Sequence, residues 1–105
     1  MDGTPSLALV DNPDRSRFEL WDSGTLLGLV GYEIEPPTMS GPRVYRLMHT
    51  VVEAKFGRQG IARLLVTLVL TRLRFDGAQI SPVCTYVRRY LNRFPEYKPL
   101  VAHDT

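Results

Sequence analysis

The chain has 105 residues, of which 44% are hydrophobic and 23% charged, and its formal net charge is +2. This balance is typical of one globular domain. No apolar stretch reaches the roughly 18 residues of a membrane-spanning helix, because Arg72 and Arg74 interrupt the longest one. The N-terminal residues lack the pattern of a signal peptide, so a cytoplasmic protein is expected. One cysteine and two histidines offer neither a disulfide nor the spacing of a metal site.

Alternating apolar and polar residues in the first half of the chain predict four strands. In the second of these, Phe18 and Leu20 fall on one face and Arg17 and Glu19 on the other, which indicates a half-buried strand. The predicted strands cover residues 7–10, 16–21, 25–35 and 43–52. Turn-forming Asn, Asp, Gly and Pro residues separate them. The last three of these strands are expected to pair as an antiparallel meander.

The second half of the chain changes to a helical period. Residues 60–75 carry apolar side chains around most of the circumference, which predicts a helix covered on most sides. A short strand over residues 78–83 contains Pro82 near its end, so it is expected at a sheet edge or splayed from its neighbour. A second helix is predicted over residues 85–94, where Pro95 stops it.

The resulting order, ββββαβα, predicts a single α/β (α+β) domain over residues 1–105. A strand on each side of a crossover helix indicates a mixed sheet, mostly antiparallel, with two main helices. Residues 1–6 and 102–105 are expected to be flexible ends.

A short glycine turn, Gly57-Arg58-Gln59-Gly60, leads into the first helix. Unpaired N–H groups and the positive end of the helix dipole make such a helix start suitable for an anion. The turn lacks the lysine of a P-loop and the third glycine of the dinucleotide fingerprint. Two interpretations remain open: a short phosphate-binding turn, or a turn with no ligand.

Four separated motifs resemble the GNAT acyl-CoA transferase superfamily, and in particular its small single-domain members of about 90 to 110 residues. They are "HTVV" at 49–52, "GIA" at 60–62, "PVCTYV" at 82–87 and "PEY" at 95–97, and "NPDRSRFEL" near the start also matches. The resemblance covers roughly residues 10–101 and implies a minimal GNAT-like fold. One departure is that the family usually has Arg-Gly-Gln-Gly where this chain has Gly57-Arg58-Gln59-Gly60.

The resemblance implies that the chain binds acetyl-CoA and needs no metal. In the family, the pyrophosphate is held by backbone N–H groups of the glycine turn, and the pantetheine arm pairs with the preceding strand. Carried over, the cofactor-binding residues are Thr50, Val51, Val52, Arg58, Gln59, Gly60, Ile61, Ala62, Arg63 and Tyr86.

Cys84 and His49 are the candidate catalytic residues. Cys84 lies just before the second predicted helix, where the helix N-terminus favours the thiolate. The resemblance implies that this thiol faces the acyl-CoA thioester, although a lone cysteine also suits a buried core position. His49 lies on the strand beside the cofactor, where an imidazole can accept a proton near neutral pH or serve a structural role. Tyr86 and Tyr90 are expected to pack rather than to act as acids.

The function implied is N-acetylation of an amine, with the acceptor unknown. Full-length GNAT enzymes shape the acceptor side with a helical segment that is here only a tight turn at residues 21–25. An open site suits a protein or peptide amine. The alternative is a non-catalytic acyl-CoA-binding or protein-interaction module. The arginines in the second half of the chain are consistent with either an anionic ligand or exposure to solvent. Nucleic acid and membranes are not expected as partners. The chain is expected to be a monomer or a weak dimer.

Overall fold

Five strands and two helices follow one another in the predicted order. The computed structural model describes residues 6–57 and 60–102. The elements are β1 (Leu7–Asn12), β2 (Arg17–Asp22), β3 (Thr25–Ile34), β4 (Val44–Val52), α1 (Ile61–Phe75), β5 (Gln79–Pro82) and α2 (Thr85–Arg93). Short 3-10 segments lie at Pro13–Arg15, Ala54–Phe56 and Pro95–Leu100. The ends predicted to be flexible, residues 1–6 and 102–105, lie outside the described residues except for positions 6 and 102.

The strands form one sheet in sequence order, from β1 at one edge to β5 near the other. Strands β1 to β4 are antiparallel, whereas β5 runs parallel to β4 because α1 carries the chain back along the sheet. The predicted mixed, mostly antiparallel fold is confirmed. Pro82 ends β5, and Val101 adds only a single parallel bridge to Ile80 outside it.

The hydrophobic core lies between α1 and one face of the sheet. Its fully buried side chains include Phe18, Leu20, Val30 and Leu47 from the strands, Leu65, Val66, Val69, Leu70 and Leu73 from α1, and Val87 from α2. Helix α2 packs beside α1, where the hydroxyls of Thr67 and Tyr90 are 2.6 Å apart. The broad apolar arc predicted for α1 is therefore covered by both the sheet and α2.

The opposite face of the sheet is exposed in several places. Val10 is 41% exposed and Val51 49% exposed, and both belong to the row of side chains that points away from α1. We refer to this surface as the open face. Between them the open face carries one buried charge, Glu19, which is only 4% exposed.

Three side chains hold the Glu19 carboxylate. Arg17 Nε donates at 2.7 Å, Trp21 Nε1 at 3.0 Å and Asn12 Nδ2 at 3.1 Å. The hydrogen bond from Arg17 lowers the pKa of Glu19 from its ordinary 4.5, against the opposing effect of burial. The alternation in β2 correctly predicts that the Glu19 side chain lies on the face of the sheet that points away from α1. The side chain is nevertheless buried there.

Candidate functional site

Strands β4 and β5 separate at Leu47, and the separation opens a gap in the sheet. Their paired register ends at Leu47 and Pro82, and both Val83 N–H and Cys84 N–H donate to the Leu47 carbonyl, at 3.1 and 2.8 Å. The chain then enters α2, while β4 continues to Val52. The predicted splay of the strand containing Pro82 is present.

A bulge in β4 marks the same position. Tyr32 pairs with Leu47 and Gly31 pairs with His49, so Met48 is an extra residue in the ladder. A bulge bends its strand and increases the local twist. It therefore helps β4 diverge from β5 immediately after their last paired residues.

The backbone of β4 beyond the bulge faces this gap at alternate residues. Glu53 N–H donates to the Leu27 carbonyl of β3 at 3.0 Å. Because backbone groups alternate in direction along an antiparallel ladder, those of Thr50 and Val52 point away from β3 and into the gap. The backbone N–H and carbonyl of Val51 instead point toward β3, and its side chain points to the open face.

Cys84 occupies the position just before α2 and faces the gap. Its sulfur is 3.5 Å from Thr50 Oγ1, and the side chain is buried. Burial raises the pKa of the Cys84 thiol, but hydrogen bonds from the Thr50 hydroxyl and from the N–H groups of Val87, Tyr86 and Thr50 outweigh it, so the pKa lies below its ordinary value. These hydrogen bonds favour the thiolate form of Cys84, and its position just before a helix was predicted to have the same effect.

The structure does not bring His49 together with Cys84. Consecutive strand residues point to opposite faces, so Thr50 meets the sulfur while His49 lies on the open face. The imidazole lies directly over Gly31, in space that any larger residue at position 31 would occupy. A glycine in a strand signals such close approach, but the sequence alone does not say which residue approaches.

The glycine turn delivers the start of α1, as predicted. Gly60 has φ +72°, and Leu64 N–H donates to its carbonyl at 3.1 Å. Within residues 6–57 and 60–102, no side chain caps α1, and no atom lies within 4 Å of a Cβ built on Gly60. Ile61 and Ala62 are half-buried and Arg63 is exposed. Arg58 and Gln59 lie outside the described residues.

These features fit a phosphate group. N–H groups at the start of α1 lack a side-chain acceptor in the described ranges, and apart from its chain neighbours no residue in those ranges fills the space above Gly60. The side chain of Arg63 adds a positive charge.

Tyr86 lies on the first turn of α2 and lines a cavity of about 470 Å³ between the two helices. Arg63, Arg89 and Arg93 line the same cavity. The sequence predicted Tyr86, but it treated the two α2 arginines only as part of a general excess of charge. Tyr90 turns its hydroxyl to Thr67, and burial raises its pKa, in keeping with a packing role.

Two further observations concern metal ions and membranes. In the part of the chain that the structure describes, no three His, Cys, Asp or Glu side chains come together in a way that could hold a metal ion. None of the helices described is long and apolar enough to cross a membrane.

The sequence matches the family model "GCN5-related N-acetyl-transferase" over residues 17–100. The chain therefore belongs to the GCN5-related N-acetyltransferase (GNAT) family, as the motifs indicated. The match includes the separated strands, the glycine turn and Cys84. No curated protein matches the sequence significantly.

Solved structures share the fold at low sequence identity. A GCN5-like protein from Staphylococcus aureus is 18% identical, with a TM-score of 0.64 over 94% of this chain and 91% of that one. A ribosomal-protein-alanine N-acetyltransferase from Brucella melitensis biovar Abortus 2308 is 18% identical with a TM-score of 0.54. An aminoglycoside acetyltransferase from an uncultured soil metagenomic sample, in complex with sisomicin, is 18% identical with a TM-score of 0.57. The matches cover 85% of this chain in both cases, but only 62% and 60% of the two larger proteins.

Proposed function

We propose that this chain is an acetyl-CoA-dependent N-acetyltransferase that acts on a protein or peptide amine. The observation that carries the proposal is the gap between β4 and β5, which has the Cys84 thiol on one side and, on the other, the backbone of Thr50 and Val52, which pairs with neither β3 nor β5. The same strand leads, through the short segment Ala54–Phe56, to the turn at Gly60. One continuous stretch of chain therefore offers hydrogen-bonding groups for an extended arm and N–H groups for its phosphates.

The residues at the gap have distinct roles in this proposal. The N–H groups at the start of α1, with Gly60 and Arg63, hold the pyrophosphate, and the backbone of Thr50 and Val52 pairs with the amides of the pantetheine arm. Bound acetyl-CoA supplies the acetyl group as a thioester. The Val52 N–H also points into the gap, where it is a hydrogen-bond donor for a carbonyl oxygen.

Cys84 and His49 have separate tasks because they face opposite sides of the sheet. Cys84 lies at the gap, where its thiolate can attack the acetyl thioester; the bond from the acetyl carbon to the CoA sulfur breaks, and CoA leaves as a thiolate that takes up a proton. The amine then displaces the acetyl group from Cys84 and regenerates its thiolate. His49 lies on the open face, where it can take a proton from an amine that approaches from that side. The exposed surface around Val51 leaves room for a large acceptor, which supports a protein or peptide over a small molecule.

Calorimetric titration with acetyl-CoA tests the binding step. We expect saturable binding and a rise in the melting temperature, since a ligand that binds only the folded state stabilises it. The absence of both at millimolar acetyl-CoA would contradict the proposal.

Mass spectrometry tests the transfer step. After incubation with acetyl-CoA and a set of peptides with free amines, we expect acetylated peptide, and acetylated Cys84 if the transfer passes through the thiol. The variant Cys84→Ala separates these routes, because direct transfer would survive the change. Bound but intact acetyl-CoA, with no acetylated product, would favour the non-catalytic binding module instead.

A further inference from the structure

Strand β1 forms one edge of the sheet, and it lacks the features that usually protect an edge. In the part of the chain that the structure describes, no other strand pairs along its outer side. Its residues, Leu7–Asn12, include neither proline nor lysine, and its pairing with β2 is regular, whereas the β2–β3 and β3–β4 ladders each contain a register shift. Proline, lysine and bulges keep an edge strand from pairing with another chain. The outer side of β1 is therefore available to a further strand.

The backbone groups of β1 alternate between β2 and the outer side. Ser23 N–H donates to the Ser6 carbonyl at 3.3 Å, so the backbone of Ser6 is directed toward the β2 side. Because backbone groups alternate in direction along an antiparallel ladder, every second residue from Leu7 onward directs its N–H and carbonyl away from β2. These residues are Leu7, Leu9 and Asp11. The outward groups are thus evenly spaced about Leu9.

This spacing makes the edge complementary to a second copy of itself. When two β1 strands lie antiparallel with Leu9 opposite Leu9, the two Leu9 residues exchange hydrogen bonds with each other. Each Leu7 then exchanges hydrogen bonds with Asp11 of the other copy. Among antiparallel registers, this one alone pairs all the outward residues of β1 with one another.

The side chains of β1 fit the same register. On the open face, Val10 is 41% exposed and would lie opposite the exposed Ala8 of the other copy, so a large and a small apolar side chain cover each other. On the other face, Leu7 would lie opposite Asp11, whose carboxylate accepts a hydrogen bond from the Tyr32 hydroxyl at 2.6 Å. The two Asp11 carboxylates therefore do not face each other, and no like charges of β1 are directly opposed.

We propose that two copies of this chain associate through β1, antiparallel and with Leu9 at the two-fold axis, to form one continuous sheet. Strand addition of this kind gains main-chain hydrogen bonds along the edge and buries alternate side chains. Both copies use the same surface, so the association closes at a dimer. The gaps between β4 and β5 lie away from this interface, at the other side of each sheet, so the pairing does not depend on the proposed function.

Sedimentation equilibrium of the intact chain, from micromolar to millimolar concentration, tests the association. We expect the wild-type mass to rise from 11.9 kDa toward twice that value. Val10→Lys should raise the dissociation constant of the dimer by about tenfold or more, because pairing would remove water from two ammonium groups. Val51→Lys is the matched control: it makes the same change on the open face, at a residue that is 49% exposed but lies on β4, so the dimer should persist. Circular dichroism checks that each variant is folded.

Disulfide formation tests the register. In the background of Cys84→Ala, Leu9→Cys supplies the sole thiol of each copy, and the Cα atoms of the two thiols would lie about 5.5 Å apart, within the range of a disulfide. Leu7→Cys in the same background is the control, because the rise along the strand puts its two copies about 14 Å apart. Mild oxidation should give a covalent dimer for Leu9→Cys and not for Leu7→Cys.

A wild-type chain that stays monomeric at millimolar concentration would overturn the inference and leave the proposed function intact. Equal dissociation of Val10→Lys and Val51→Lys would also overturn it, because the contact would then lie on the open face rather than at the edge. Equal crosslinking of Leu9→Cys and Leu7→Cys would show that the copies do not pair in this register.

Discussion

Replacing Gly60 by alanine separates the stability of the glycine turn from its proposed role in binding. Gly60 has φ +72°, and an L-residue in this conformation costs about 1–2 kcal/mol. Alanine also restricts the unfolded chain, which offsets about 0.4–1 kcal/mol of that strain. Apart from its chain neighbours, no described residue lies within 4 Å of the new methyl group, so no clash with those residues adds to the difference. The net loss should be about 1 kcal/mol, or about 4–8 °C in melting temperature.

Gly77 offers a matched control at the other end of the same helix. Its φ is +73°, and no described atom lies within 4 Å of a Cβ built there. Gly77→Ala should therefore lower the melting temperature as much as Gly60→Ala does. Only Gly60→Ala should weaken acetyl-CoA binding, by about tenfold, because its methyl group fills the space proposed for the phosphate.

Thermal unfolding and calorimetric titration of the two variants check these expectations. Equal affinity of the two variants for acetyl-CoA would refute the assignment of Gly60 to the pyrophosphate. A much larger loss of stability in Gly60→Ala than in Gly77→Ala would show that the space above Gly60 is not free, and the proposed fit to a phosphate would fail with it.

Three more substitutions test individual contacts. Thr50→Val should raise the pKa of Cys84, because burial is then less opposed by hydrogen bonding; alkylation of this sole cysteine should slow at neutral pH, and Thr50→Ser should restore the rate. An unchanged rate in Thr50→Val would count against the contact. Glu19→Gln should destabilise the fold by about 2–3 kcal/mol at pH 7 in urea unfolding, since charged hydrogen bonds are lost. The pKa of Glu19 is lowered in the folded state, so its carboxylate contributes its full stabilisation above the ordinary pKa of 4.5 and loses it as the pH falls through the folded pKa. The difference in unfolding free energy between wild type and Glu19→Gln should therefore shrink in acid. A difference that stays constant with pH would contradict this. Gly28→Ala would place its Cβ 2.7 Å from the Val51 carbonyl oxygen, so we expect the free energy of unfolding to fall by about 1–3 kcal/mol in the same assay. Wild-type stability of this variant would contradict the expectation, because it would show that β4 shifts to accommodate the methyl group at little cost.

Local patterns in the sequence predict most of the fold. The two-residue period of the first half predicts β1 to β4, and the helical period after Gly60 predicts α1 and α2, because apolar side chains recur on the side of each element that is covered by the core. The predicted strand over residues 78–83 corresponds to β5 (Gln79–Pro82), and Pro82 lies at its end. These features depend on residues that are close together in the sequence, so a single sequence is enough to predict them.

The contacts within the candidate site depend on residues far apart in sequence. Thr50 and Cys84 are joined only because β5 runs parallel to β4, and Arg63 meets Arg89 only because α2 packs beside α1. The burial of Glu19 likewise requires Asn12, which arrives from the neighbouring strand. Residue type indicated candidates in these positions, but tertiary packing determines their partners.

The bulge at Met48 makes the opening in the sheet sensitive to the length of one strand. Residues on either side of Met48 keep a regular inward and outward alternation, as Leu47 faces the core and His49 the open face. Deleting Met48 would therefore preserve these faces and the pairing with β3, while removing the bend that directs β4 away from β5. We therefore expect that a change of one codon opens or narrows this cleft and leaves the core in place.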